Sequence, residues 1–333
     1  RVAIIGGRNI GEEYFSAAAE VNFRDLDLLL FGPEVAKASA IFDAFWNSPA
    51  AVPIERLDDD TPGEAIARVV ASFEDEALEA RAQPYLDRVA ASPNVRDYLR
   101  EALSPIWSDR LEIVSDPPMK QHDDDRDDWL VTRLLATLRG TRDSLRLISP
   151  YFVPGMEGSQ GMTRLVAGGA RVGVVTNSLA ANDVPAVHSG YARYREALLR
   201  GGVQLHEMRA RAPAGIAGVL GSSGASLHTK AFVVDGRRGF VGSFNLDPRS
   251  ANLNTEMGVL FDDPALAAAV REEYERLAAP EQSYAVFLDD DGQVRWRDGS
   301  EQPARILDTE PDASFGRRAF ARVLRWLPIE SQL

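Results

Sequence analysis

No cysteine occurs in the 333 residues, which excludes disulfides and thiolate metal sites and suits a reducing compartment without requiring one. Histidine is scarce: there are four, at 122, 188, 206 and 228, and none stands at a zinc-motif spacing such as H-E-x-x-H. No metal and no cofactor are therefore expected. No apolar run approaches the ~20 residues needed to cross a bilayer, and no charged stretch followed by a signal-like apolar core opens the chain. Basic charge is also short. A net charge of −13 and a pI near 4.9 leave no general basic surface for phosphate backbones, so nucleic acid is not an expected partner, although a local basic groove stays open.

What is present is ordinary globular composition, 45% apolar and 26% charged, in a chain long enough for one large or two ordinary domains. "DLDLLLFG" reads as a short buried strand and "EVAKASAIFDAFWNS" as a helix. From Thr61 to Arg100 the sequence favours helix, broken by Pro84 and Pro93, and "RLEIVSDPP" reads as a strand. After the acidic boundary "HDDDRDD" the pattern alternates. Helix "WLVTRLLATLRGTRDS" is followed by strand "LRLISPYF", helix "GMTRLVAGG", strand "RVGVVTNS", helix "HSGYARYREALLRGG" and strand "VQLHEM". Such alternation predicts an α/β layer with helices packed on a sheet.

The stretch "SLHTKAFVVDGRRGFVGSFN", Ser226 to Asn245, places polar groups on an otherwise apolar hairpin. Strand periodicity puts His228 and Lys230 on one face, and Asp235 either away from them or in the turn with Gly236. An internal echo accompanies it: "AIIGGRN" (3–9) repeats "GFVGSFN" (239–245), and "RDLDLLLFGPEVA" repeats "TEMGVLFDDPALA", which pairs Asp25 with Glu256. Two similar halves are implied. The first half's counterparts of His228, Lys230 and Asp235 would fall before Arg1, and "RVAIIGGRN" reads as the middle of a strand, so a truncated beginning is expected.

The spacing His-x-Lys, four residues, Asp, six residues, Gly-Ser-x-Asn is met by His228, Lys230, Asp235, Gly242, Ser243 and Asn245. Six positions at about one in twenty each make a chance match of order 10⁻⁸ per starting point. The pattern resembles the HKD motif of the phospholipase D superfamily, and "IIGGRN" resembles the tail of that family's first motif. "SPYFVPG", "TNSLAANDVPAVHSGYARYREALLRGGVQLHE", "GSFNLDPRSANLNTE" and the terminal "LPIESQL" are similar to bacterial cardiolipin synthases. The likeness covers the chain from Trp129 on and its first 35 or so residues, while about 36–128 carry no motif.

The resemblance implies an α/β phospholipase D fold: two similar halves, each a mixed sheet flanked by helices, share one active site, and the first half is incomplete. Residues 1–125 would be the remainder of that first half, and 126–333 the second half with its complete motif. It further implies a phosphatidyltransferase making cardiolipin from phospholipids such as phosphatidylglycerol through a phospho-histidine intermediate. The setting would be peripheral, at the cytoplasmic face of the inner membrane, and an oligomer is left open. Hydrolysis of phospholipids, or a catalytically incomplete lipid-binding remnant, are the alternatives, and the fragment alone is expected to be inactive.

Metal-free phosphodiester transfer needs one histidine to attack phosphorus and a second to protonate the leaving alcohol. In the family the first motif usually supplies the nucleophile, which makes His228 the acid/base. Lys230 would stabilise the phosphoryl oxygens, and Ser243, Asn245, Gly7 and Asn9 would line the phosphate. Glu256 would orient a histidine ring. Asp235 belongs to the motif's catalytic set, while its turn position reads as a hairpin brace.

His188 is balanced between a capping or surface role and a substrate contact, and Tyr151 and Phe152 between ligand and core. His122 reads as solvated, and His206 has no motif behind it. In the terminal "FGRRAFARVLRWLPIESQL", Phe315, Ala319, Phe320, Val323, Leu324 and Leu327 form a helical stripe with Arg317, Arg318, Arg322 and Arg325 outside it. Two readings stay open for this helix. Either it docks on the protein's own core, or it meets an anionic membrane together with the apolar loop 214–221.

Overall fold

The computed structural model describes residues 2–15, 21–53, 56, 62–73, 83, 86, 87, 90, 104–122, 125–210 and 224–333. The loop 214–221 and most of 74–103 lie outside them. Among the described residues the first elements are strands β1 (Val2–Gly6), β2 (Val21–Arg24) and β3 (Asp27–Phe31), then helices α1 (Val35–Trp46) and α2 (Pro62–Phe73). Strand β4 (Leu111–Ser115) and helix α3 (Leu130–Arg139) follow, then β5 (Ser144–Ile148), α4 (Gly155–Ala167) and β6 (Arg171–Asn177). Next come α5 (Pro185–Ala192), α6 (Arg195–Arg200), β7 (Gln204–Met208), β8 (Gly224–Leu227), β9 (Lys230–Val234) and β10 (Arg238–Gly242). The chain ends with α7 (Pro248–Asn252), β11 (Met257–Asp262), α8 (Pro264–Ala278), β12 (Ser283–Leu288), β13 (Val294–Asp298), β14 (Arg305–Leu307) and α9 (Phe315–Leu324).

Ten strands form one mixed sheet in the order β14-β13-β12-β7-β6-β5-β9-β10-β11-β4. This mixed α/β sheet is of the class that the resemblance implies. β5, β6 and β7 run parallel, joined by helical crossovers, whereas β9 to β11 form an antiparallel meander. Period-2 alternation divides the side chains between two cores. Leu145, Leu147, Val172, Val174, Phe232 and Val234 pack with Leu130, Leu134 and Leu138 of α3 and Met162 of α4. Ile148, Val175, Ala231 and Val233 pack on the other face with Ala267, Val270, Tyr274 and Leu277 of α8. Burial on both faces explains the unbroken apolar reading of β6.

The internal echo is visible in register. β1 pairs antiparallel with β3 with Gly6 opposite Asp27, and β10 pairs with β11 with Gly242 opposite Gly258. These are the positions that the sequence repeat aligns. The β1–β3 ribbon packs through Ile5 on Ile113 of β4 and Val259 of β11. β4 precedes residue 125, where the sequence pattern divides the chain, yet it completes the edge of the large sheet.

Two expectations are corrected, and one set of strands is added. β3 is not buried: Leu29 and Phe31 are 41% and 49% exposed, because only its alternate residues reach the core. The strand read through His228 starts at Lys230, since the amides of His228 and Thr229 both donate to Arg24 O, at 2.8 and 3.1 Å, and leave the ladder. The hairpin β12–β13 and strand β14 were not anticipated, because "SYAVFLDDDGQVRWRDG" lies beyond the alternating helix and strand pattern.

Asp235 sits in the turn at the far end of β9 from His228. Asp235 and Gly236 take φ of 53° and 62°, the paired left-handed residues of a tight hairpin turn. The Asp235 carboxylate accepts from the backbone N–H groups of Arg142, Asp143 and Ser144 at 2.8–3.1 Å, which ties the hairpin to the α3–β5 corner. Partial desolvation pulls its pKa up, but those three donors outweigh it and hold the value below the ordinary 3.8. Its contribution to stability is therefore present above pH 3.8 and is lost as pH falls through the depressed folded value. Asp235→Ala should destabilise the fold by about 1–3 kcal/mol, read from the urea midpoint at neutral pH, and the loss should shrink toward acid pH.

Candidate active site

The site forms where β2 pairs parallel with β8. Arg24 stands opposite Leu227, so the next residues of the two chains, Asp25 and His228, emerge side by side. His228 Nδ1 and Asp25 Oδ2 are 2.7 Å apart, and the Asp25 side chain is fully buried. A carboxylate on Nδ1 holds the ring proton there and leaves Nε2 for proton exchange. Tyr14 meets the imidazole edge-on at 5.0 Å and Phe23 lies tilted at 5.1 Å, so the ring is fixed from three sides.

Lys230 heads β9 and is 3% exposed. Its Nζ donates to His228 O at 2.5 Å. Burial depresses its pKa to about 8 against the opposing pull of Asp25, Glu256, Asp247 and Asp183, so the ammonium stands amid four carboxylates. Gly7 closes over this group. A Cβ there would lie 2.9 Å from Asp25 Oδ1 and 2.9 Å from Lys230 Cδ, so only glycine permits the approach. Asn9 accepts from Ile10 N at 2.8 Å and hydrogen-bonds the Tyr14 side chain, which connects it to the histidine through that ring.

The second strand of the motif brings Ser243 and Asn245 round to the same edge, beyond the C-terminal ends of β5 to β7, where open α/β sheets bind ligands. The Ser243 hydroxyl donates to Glu256 Oε2 and its amide donates to Met257 O at 2.9 Å, so both donors of Ser243, a residue expected to line the phosphate, are already engaged. Asn245 Oδ1 is buried without a hydrogen-bond partner among the described residues. Glu256, 7% exposed, also accepts from Asn254 Nδ2 at 3.3 Å, and desolvation raises its pKa. The carboxylate that reaches His228 is thus Asp25, and Glu256 faces no histidine among the described residues.

Beneath Glu256 lies a fully buried ion pair. Lys120 Nζ donates to Asp116 Oδ2 at 2.8 Å, to Ser250 O at 2.9 Å and to Asn254 O at 2.8 Å. Asp116 in turn accepts from Glu256 N at 2.9 Å and from Leu130 N at 2.9 Å. Two further members are a tyrosine just past the end of β5 and an aspartate in the loop after β6. Tyr151 donates to Asp183 Oδ2 at 2.7 Å, whereas its neighbour Phe152 is buried in the core. Asp25 could have been assigned from the echo that pairs it with Glu256, but Lys120 and Asp183 carry no local signal.

The remaining histidines fall elsewhere. His188 is buried in α5 with Nε2 3.4 Å from Glu310 Oε2, beside the Arg195 bridges to Glu207 and Glu310. His206 packs on Tyr274, and burial lowers its pKa to about 4. His122 is exposed, in keeping with a solvated position.

Residues 134–278 match the family model described as cardiolipin synthase, phospholipase D-like domain. Cardiolipin synthase C of Escherichia coli K12 is 36% identical over 99% of this chain and 70% of its own length. The chain belongs to this family. A Helicobacter pylori protein is 31% identical over 98% of this chain and 64% of its own length, so the chain spans about two thirds of these relatives. The solved phosphatidylserine synthase of Haemophilus influenzae superposes with a TM-score of 0.58 over all of this chain and 69% of that one, at 14% identity, which supports the shared fold.

The Lys120–Asp116 pair is the support most open to test. Lys120→Met removes the only charge partner that Asp116 has at bonding distance among the described residues and should destabilise the protein by about 3–5 kcal/mol in urea unfolding. Asp116→Asn added to Lys120→Met should recover part of that loss, because no unpaired buried charge then remains.

Proposed function

We propose that this chain carries the second half of a phosphatidyltransferase active site, which makes cardiolipin from phospholipids such as phosphatidylglycerol. The observation that carries the reading is the 2.7 Å contact of His228 with Asp25, because it couples the complete motif to the first half's carboxylate. The names of the relatives supply the substrate class, and the residues supply the chemistry.

In the proposed reaction a histidine of the first motif, outside these residues, attacks phosphorus and forms a P–N bond as the P–O bond to the leaving alcohol breaks. His228 Nε2 delivers the proton to that alkoxide. It then takes the proton of the incoming alcohol, whose oxygen attacks phosphorus while the P–N bond breaks and the first histidine is regenerated. Asp25 holds the Nδ1 proton and stabilises the imidazolium form. Lys230 and Asn245 face the phosphoryl oxygens, where one well-placed donor contributes about 3 kcal/mol in the transition state. Glu256, held by Ser243 and Asn254, is the orienting carboxylate of the first-motif histidine, as the repeat pairing it with Asp25 implies. Asp235, at the far end of β9, serves the scaffold. These 333 residues alone should not turn over lipid, and a first-half segment supplied in trans should restore activity.

In protein carrying both motifs, His228→Ala should abolish turnover, while Asp25→Ala and Lys230→Met should each lower it about 10²-fold or more. Wild-type rates in any of the three would refute the assignment. With labelled phosphatidylglycerol and a competing alcohol, the label should pass to alcohol in preference to water, and phosphatidic acid as the main product would make the protein a hydrolase.

The Lys230 pKa separates activity from stability. Activity should fall as pH rises through about 8 and the ammonium is lost. Stability should move the other way: from about 8 to the ordinary 10.5 the unfolded lysine binds the extra proton, so the cost of burying its charge is relieved. A basic limb unchanged in Lys230→Arg would sink this account.

A further inference from the structure

From Ser314 to Leu327 the chain carries four arginines and no acidic residue, within a protein of net charge −13. α9 is amphipathic, and in most globular proteins such a helix turns its apolar stripe to the core. Here the orientation is reversed. Arg317, Arg318 and Ala321 face the protein: Arg317 Nε donates to Leu179 O at 2.8 Å, its other nitrogen reaches Asn182 O, and Arg318 donates to Ala313 O at 2.8 Å. Ser189 of α5 donates to Ala321 O at 2.9 Å, and Ala321 packs with Leu179. Arg193 secures the end of the helix by donating to Leu327 O at 2.6 Å.

The stripe faces outward. Phe315 is 80% exposed, Phe320 55%, Val323 62% and Trp326 86%. Arg322 and Arg325 are exposed along one border of that apolar surface. Large aromatic side chains rimmed by arginines match a surface that is apolar below and anionic above, which is the chemistry of an acidic bilayer's headgroup boundary. The helix also stands at the rim of the candidate site. The loop it grips, through the carbonyls of Leu179 and Asn182, leads directly into Asp183, which accepts from Tyr151 and acts on Lys230.

We infer that α9 and the following turn to Leu327 form an interfacial anchor that lays this rim on an anionic lipid surface, with Phe320, Val323 and Trp326 in the acyl boundary and Arg322 and Arg325 at the headgroups. The inward arginines hold the helix in place, so the anchor is rigid with respect to loop 179–183. The inference goes beyond the proposed reaction, because binding to a surface needs no turnover.

The test is co-sedimentation of purified protein with vesicles of phosphatidylcholine alone or mixed with phosphatidylglycerol, at low and high salt. Wild type should bind the anionic vesicles, more weakly at high salt, and should bind phosphatidylcholine alone poorly. The triple change Phe320→Ser, Val323→Ser, Trp326→Ser should weaken binding about tenfold or more. Arg322→Glu with Arg325→Glu should do the same at low salt, with the difference from wild type narrowing at high salt. Phe320, Val323 and Trp326 are exposed, so circular dichroism and thermal midpoint of the triple variant should stay those of wild type. Equal vesicle binding by the folded triple variant would overturn the inference. So would failure of wild type to bind, or a change in association state of the triple variant without lipid, which would make the surface a contact between copies of the chain.

Discussion

The parallel pairing of β2 with β8 is the constraint on which the site depends, because it forces two residues 203 positions apart into one hydrogen bond. Parallel strands with Arg24 opposite Leu227 must deliver Asp25 and His228 together, and the carbonyl of Arg24 takes the amides of His228 and Thr229 as the chain leaves the ladder. The histidine is thereby held by a carboxylate from a distant part of the sequence. Glu256, which the sequence repeat aligns with Asp25, is held by Ser243 and Asn254.

Electrostatics around that contact are organised by burial more than by net charge. Burial depresses the Lys230 pKa to about 8, and the four carboxylates around it work against a further fall. The same logic governs the layer below. Lys120 and Asp116 are wholly buried, yet each meets backbone groups as well as its partner, so the pair fixes the loop that carries Asn254 and Glu256. An acidic protein can thus present a cationic group at the point where phosphate chemistry is proposed. Its remaining basic surface includes the terminal helix, whose arginines divide between gripping the fold and facing solvent.

Much of the architecture was legible in the residues. Period-2 and period-3.6 patterns marked β4 to β7 and most of their helices, and the Asp-Gly pair marked the β9–β10 turn, while the repeated Gly-x-x-Asn segments implied two similar halves whose strand pairs in equal register appear in the structure. The motif spacing, read with its family resemblance, located His228, Lys230 and Asn245 at one edge of the sheet. Tyr151 and Asp183 were less accessible, because a tyrosine at a strand end and an aspartate in a loop acquire meaning only once they touch.

The sequence by itself determined the local facts: which segments become strand or helix, where the hairpin turns, and which residue types stand at the spacing that phosphoryl chemistry requires. Tertiary structure decided the partners. It gave His228 to Asp25 and not to Glu256, placed Asp235 a strand's length away as a brace, engaged Ser243 with a carboxylate, and turned the apolar stripe of α9 outward. Periodicity fixes the direction of a side chain within its own element, but contacts between elements depend on pairing register and layer packing, which are set by distant residues.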